Sequence, residues 1–62
     1  MEQEKEIIAL LSDIADAKEI VKWLDKPLPE WGGRTPRQEL DRGNIEGVRN
    51  LANRIKNGEG GF

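Results

Sequence analysis

Apolar positions in the first quarter of the chain fall at helical spacing. Ile7, Leu10, Leu11 and Ile14 stand at i, i+3, i+4 and i+7, and Ile8 widens the stripe. No proline or glycine interrupts the chain between Glu2 and Lys26, and Glu2, Glu4 and Glu6 suit the positive end of a helix dipole. This pattern predicts a helix near residues 3–14. The small and polar residues Ser12-Asp13 and Ala15-Asp16 permit a corner, and Asp16 with Glu19 reads as a D-x-x-E variant of the capping box. A second helix is therefore expected near residues 17–25, in place of one long helix. Ala17, Ile20, Val21 and Leu24 form its predicted inner face, with Trp23 at the flank closing the core over the loop that follows.

That loop is the most distinctive stretch of the chain. Pro27 and Pro29 fix φ and push Lys26 and Leu28 towards extended backbone, so the second helix must stop near Asp25. Gly32 and Gly33 can turn the chain through positive φ, and Thr35-Pro36 restarts a helix with proline at its first position. The result reads as a rigid corner that presents Trp31.

A short third helix, near 36–42, is expected from the T-x-x-Q capping box of Thr35 and Gln38, with Leu40 as its clear apolar anchor and Gly43 as a left-handed stop. Asn44 then caps a fourth helix near 45–57. Ile45, Val48, Leu51, Ala52 and Ile55 share one arc at about 100° per residue, and Asn57-Gly58 closes the helix. Gly47 lies inside it, where glycine costs about 1 kcal/mol against alanine, which points to close approach by another helix. Residues 59–62 have no helical pattern and read as a mobile tail. The predicted fold is all-α: a small four-helix bundle over residues 1–58 with a Pro/Gly-rich corner between the second and third helices. Its predicted core is Ile7, Leu11, Ile14, Ile20, Val21, Leu24, Leu40, Val48, Leu51 and Ile55.

Composition narrows the chemistry. A chain of 62 residues buries only about 60% of the surface it exposes when unfolded. It has no cysteine and no histidine, so neither disulfides nor a structural zinc site is expected to supplement the thin core. The charges are segregated: residues 1–33 carry four Lys/Arg against eight Asp/Glu, and residues 34–62 six against four. The acidic start is unlike a signal peptide, and the longest apolar run, Ile7 to Leu11 with one alanine, is too short to span a bilayer, so a cytoplasmic protein with no membrane partner is expected.

The run Ile20-Val21-Lys22-Trp23-Leu24, the proline-containing loop, Gly32-Gly33-Arg34-Thr35-Pro36, Leu40, Gly43, and then Val48, Leu51, Arg54-Ile55 and Gly58 together resemble the toxin-binding domain of the Xre/ParS/MbcA antitoxins. That family has W-L before a P-x-x-x-L-G-G-x-T-P corner, a short helix ending near glycine, and a last amphipathic helix closed by R-I-x-x-G. The similarity covers residues 7–58, and Trp31 stands where the family more often has a leucine-like residue. The resemblance implies a bacterial type II antitoxin module that covers the active site of a RES-domain toxin, an enzyme class that consumes NAD or transfers ADP-ribose from it. Family members usually carry a further N-terminal DNA-binding domain. Toxin neutralisation is thus the part carried over, and DNA binding is not expected without an additional domain.

No enzyme activity and no cofactor are expected of the chain itself. General acid–base or nucleophilic catalysis needs a histidine, a cysteine, or a hydroxyl beside a base, and the only hydroxyls are Ser12 and Thr35, the latter assigned to a cap. Asp13 and Asp16 read as helix-start carboxylates, and Gly32-Gly33 lacks the lysine and spacing of a P-loop. The competing reading is a small helix-turn-helix-like DNA-binding protein, since Arg49, Asn50, Asn53 and Arg54 are residue types that read bases or phosphates. Self-association as a homodimer is compatible with the same pattern. The residues expected to bind a partner are Trp31, Gly33, Arg34, Arg37, Arg54, Gly60, Gly61 and Phe62. Trp31 is a low-entropy aromatic anchor, the arginines are donors for carboxylate or phosphate, and the tail is an occupant for a cleft.

Overall fold

Four α-helices make up the regular structure of the computed structural model, which describes residues 2–59. They are α1 (Glu2–Leu11), α2 (Ala17–Leu24), α3 (Pro36–Asp41) and α4 (Ile45–Lys56), with a 3₁₀ turn at Pro29–Trp31. The fold is the all-α four-helix bundle that the pattern predicts, with no strand among the described residues. The tail residues Gly60, Gly61 and Phe62 lie outside the described range.

Helix α1 is shorter than its apolar stripe suggested. The Ser12 hydroxyl donates to the Ala9 carbonyl at 2.8 Å, and the Ile14 and Ala15 amides both turn back to the Leu11 carbonyl. A short polar side chain that takes a backbone carbonyl competes with helix continuation. The helix therefore ends at Leu11, and Ile14, expected in the core, is 45% exposed in the turn. Ile7 and Leu11 remain fully buried.

Helix α2 is rotated about its axis relative to the expected face. Ile20, Trp23 and Leu24 are buried, whereas Val21 is 39% exposed and Ala17 is exposed. A tryptophan side chain buries about 150–250 Å², far more than a valine, so the rotation that brings Trp23 inward wins at the expense of Val21. Asp16 has the extended conformation of an N-cap, yet its side chain makes no cap hydrogen bond, and the D-x-x-E box does not form.

The second half follows its sequence signals closely. Thr35 accepts from the Gln38 amide at 3.0 Å while the Gln38 side chain accepts from the Thr35 amide at 2.9 Å, which completes the capping box. At the far end of α3 the Gly43 amide donates to Leu40 and the Asn44 amide to Glu39. This is the paired bonding of a Schellman motif, with Gly43 at φ 91°. The same arrangement closes α4: the Gly58 amide donates to Ile55 and the Glu59 amide to Arg54, with Gly58 at φ 86°.

These ends bring one apolar cluster together, formed by Ile7, Leu11, Ile20, Trp23, Leu24, Leu40, Val48, Leu51, Ala52 and Ile55. Helices α1 and α3 each pack against the other three, and α2 meets α4 only through them. Leu51→Ala should cost about 2–5 kcal/mol, a large share of the stability of so small a domain. Ile14→Ser should change stability by no more than about 0.5 kcal/mol. Urea unfolding of both variants measures this. A costly Ile14→Ser would contradict the exposed turn.

Candidate protein-binding corner

The chain leaves α2 through Asp25, whose amide still donates to the Lys22 carbonyl, and Lys26 does the same to Trp23. Leu28 is extended (φ −118°, ψ 137°), as the following proline demands, and Pro29 opens the 3₁₀ turn. The Leu28 carbonyl accepts from both the Trp31 amide (3.2 Å) and the Gly33 amide (2.9 Å), while the Leu28 amide donates to the Arg34 carbonyl (3.1 Å). Gly32 and Gly33 take φ of 64° and 93°, and a Cβ at either would meet nothing within 4 Å. Glycine is needed there for the backbone angle, and the outer side of the turn is open space. Residues 28–34 are thus a closed, hydrogen-bonded loop, with Trp31 half-buried against the core cluster and its neighbours exposed.

What holds this loop against α3 is a side chain that the sequence pattern did not single out. Glu39 is only 1% exposed. Its carboxylate accepts from Arg34 Nε at 2.6 Å and from Asn44 Nδ2 at 2.8 Å, and Arg42 lies 3.5 Å away. The Arg34 hydrogen bond holds the Glu39 carboxyl below the usual carboxylate range, burial works against it, and Asn44 and Arg42 reinforce the lowering. Asn44 is fixed from three directions: its amide is held by the Glu39 carbonyl, its Nδ2 by the Glu39 carboxylate, and its Oδ1 by the Gly47 amide at 3.1 Å. A Cβ at Gly47 would fall 2.5–2.8 Å from the Asn44 amide group. The glycine therefore makes room for the cap of its own helix, not for another helix as the sequence suggested.

The expected contact residues divide between different sites. Arg34 spans the loop and the α3–α4 turn through Glu39, and Arg54 reaches the same loop from α4, with 3.7 Å to Glu30 beside Trp31. Trp31, Gly33, Arg34 and Arg54 thus belong to one region. Arg37 is directed elsewhere. It donates to Asp25 at 2.7 Å and to Glu4, tying α3 to the end of α2 and to α1, and these two carboxylates raise its pKa further.

The charge segregation seen in the sequence is largely resolved by internal pairing. All six cations of residues 34–62 lie within ion-pair distance of a carboxylate. Arg37, Arg49, Arg54 and Lys56 pair with Glu4, Asp25, Glu6, Glu30 and Asp13 of the first half. On α4, Arg49 donates to Glu6 at 2.6 Å, an interaction that lowers the Glu6 pKa. The helix that a DNA-binding reading requires is consequently lined with paired cations and not with a free basic stripe. The signal for Glu39 was present: it lies between Arg34 and Arg42 and five residues before the Asn44 cap.

Compared with known proteins, the chain matches no family model, no curated protein and no solved structure.

Two outcomes follow from this network. Gly→Ala inside a helix normally stabilises by about 1 kcal/mol; here Gly47→Ala should destabilise, because the new methyl displaces the Asn44 cap. In an Asn44→Ala background the same change should recover the normal gain, and a denaturation cycle over the four proteins reads the difference. Glu39 and Glu6 have lowered folded pKa values, so their contribution is fully present above the ordinary glutamate pKa of about 4.3. It is lost as pH falls through the lower folded values. Melting curves should show a steep loss of stability below that pH, and a shallower loss in Glu39→Gln. An identical pH profile for the two would mean that Glu39 is not held ionised.

Proposed function

We propose that this chain is a protein-binding module of the antitoxin type, which neutralises a RES-domain toxin by covering its active site. The reading rests on the resemblance of residues 7–58 to the Xre/ParS/MbcA toxin-binding domain. The observation that best supports it is the closed loop 28–34, which holds Trp31 half-buried and leaves the Gly32-Gly33 side open. An interface anchor binds tightly when its position is fixed before the encounter, because little entropy is then lost. Arg34 and Arg54 flank this anchor with partly exposed guanidinium groups. Carboxylates or phosphates at the mouth of an NAD-consuming site are suitable acceptors for them.

The test is inhibition of NAD consumption by a purified RES-domain protein encoded beside this chain, with binding followed by calorimetry. Full-length chain should bind and inhibit. Trp31→Ala should weaken binding by at least tenfold while the fold is retained. Removal of residues 59–62 separates the corner from the tail: unchanged inhibition assigns it to the corner, and lost inhibition with retained binding assigns it to the tail. No binding to the toxin, together with a salt-dependent shift of duplex DNA, would overturn the reading in favour of DNA binding.

A further inference from the structure

The geometry points to an anion site that Arg34 and Arg42 build on the carboxylate of Glu39, one that takes the dianionic group of a phosphate monoester or of free phosphate. The chain has five arginines. Three of them have carboxylates of their own: Arg37 has Asp25 and Glu4, Arg49 has Glu6, and Arg54 has Glu30. Arg34 and Arg42 instead share a single oxygen, Glu39 Oε2, at 2.6 Å and 3.5 Å, and among the described residues neither pairs with another carboxylate. Two guanidinium charges are thus drawn to one point against one negative charge. Glu39 is buried and fixed from its other oxygen by Asn44, so the point itself is held in place. Both arginines stay open outwards, with side chains 46% and 56% exposed. Gly33 before Arg34 and Gly43 after Arg42 are exposed as well, and a Cβ at either would meet nothing within 4 Å, so the backbone beside each arginine is uncrowded.

The donors left over select the ligand. Arg34 turns Nε to Glu39 and Arg42 turns Nη1, which leaves one two-nitrogen edge of each guanidinium for a ligand. A carboxylate has two oxygens and is satisfied by one such edge. A phosphodiester likewise offers two terminal oxygens and carries one charge. A phosphate monoester has three terminal oxygens and a charge of about −1.5 to −2, so it engages both edges and offsets the charge that Glu39 leaves uncompensated. The neighbouring acids do not cancel the site. Asp41 is exposed, but it precedes Arg42 by one residue and follows Glu39 by two, spacings at which helical side chains do not face each other. Glu46 acts on Arg49, one turn along α4, and Glu30 lies with Arg54. Arg34 also belongs to the 28–34 corner, whereas Arg42 does not, and the inference does not depend on the antitoxin reading.

The experiment uses the full chain, isotope-labelled, with the arginine Nε–H and backbone amide signals followed by NMR at fixed pH and ionic strength. The probes are inorganic phosphate and a phosphoserine peptide; acetate, dimethyl phosphate and the unphosphorylated peptide are the controls. The Arg34 and Arg42 signals should shift and saturate with both phosphate probes while those of Arg49 and Arg54 stay in place. Similar affinity for the two probes assigns the site to free phosphate, and tighter binding of the peptide assigns it to a phosphorylated protein segment. Acetate and dimethyl phosphate should bind more weakly by roughly tenfold. Arg42→Ala should weaken phosphate binding by roughly tenfold with unchanged circular dichroism, because Glu39 keeps its bonds from Arg34 and Asn44. Arg42→Lys, which retains the charge without the fork, should recover only part of that loss. No saturable shift with either phosphate probe, an equal response to acetate, shifts spread evenly over all the arginines, or an Arg42→Ala protein that binds phosphate like the parent would each overturn the inference.

Discussion

The second half of this fold depends on one buried anion. Glu39 sits almost out of solvent between the Pro/Gly loop and the α3–α4 turn, and its carboxylate receives hydrogen bonds from both sides. Burying a charge is unfavourable unless donors replace the lost water, and Arg34 and Asn44 are those donors. The requirement propagates outward. Asn44 must stay oriented to serve Glu39 and to cap α4, so the residue above it must be glycine; Arg34 must reach back, so the 28–34 loop closes against α3. A carboxylate of this kind specifies geometry more than it adds net stability, because an apolar residue of similar volume could also fill the site. Its consequence is that the turn presenting Trp31 and the helix pair α3–α4 are held as one unit.

Charge pairing between the two halves works on a coarser scale. Exposed ion pairs contribute little each, with a median of about 0–1 kcal/mol. Pairs such as Arg37 with Asp25 and Glu4, Arg49 with Glu6 and Lys56 with Asp13 therefore matter mainly for register. They favour the arrangement in which the basic last helix, α4, lies against the acidic first one, α1. The same pairing decides which charges are free for partners. It ties Arg49 to Glu6, while Arg54, 3.7 Å from Glu30, and the lysines of α2 keep much of their surface in solvent.

Much of this was legible in the sequence because it rests on local rules. The Thr35-Gln38 capping box, the left-handed stops at Gly43 and Gly58, the Asn44 cap and the apolar arc of α4 are each specified within a few residues, and each is found. The errors fall where a local rule met a competing one. The apolar stripe of α1 ran on to Ile14, but the Ser12 hydroxyl ended the helix first. Helical spacing placed Val21 inside, but the larger area of Trp23 set the rotation of α2. Gly47 looked like a helix contact because periodicity cannot reveal a cap side chain folded over its own helix. Glu39 was missed for a related reason: a glutamate in a short helix normally faces solvent, and only the three-dimensional convergence of Arg34, Asn44 and Arg42 makes a buried one tenable. Of the candidate contact residues, Trp31, Gly33, Arg34 and Arg54 converge on one loop, while Arg37 serves the packing of α1, α2 and α3.

Because that convergence underlies both the corner and the helix pair it supports, the ionisation of Glu39 is the decisive property. It can be measured by following the side-chain carboxyl carbon of Glu39 by NMR through an acid titration of the folded protein. The carboxyl should titrate clearly below the ordinary glutamate pKa of about 4.3, with the Arg34 and Asn44 side-chain signals moving at the same pH. A Glu39 pKa at or above the ordinary value, with those two side chains unresponsive, would contradict the account.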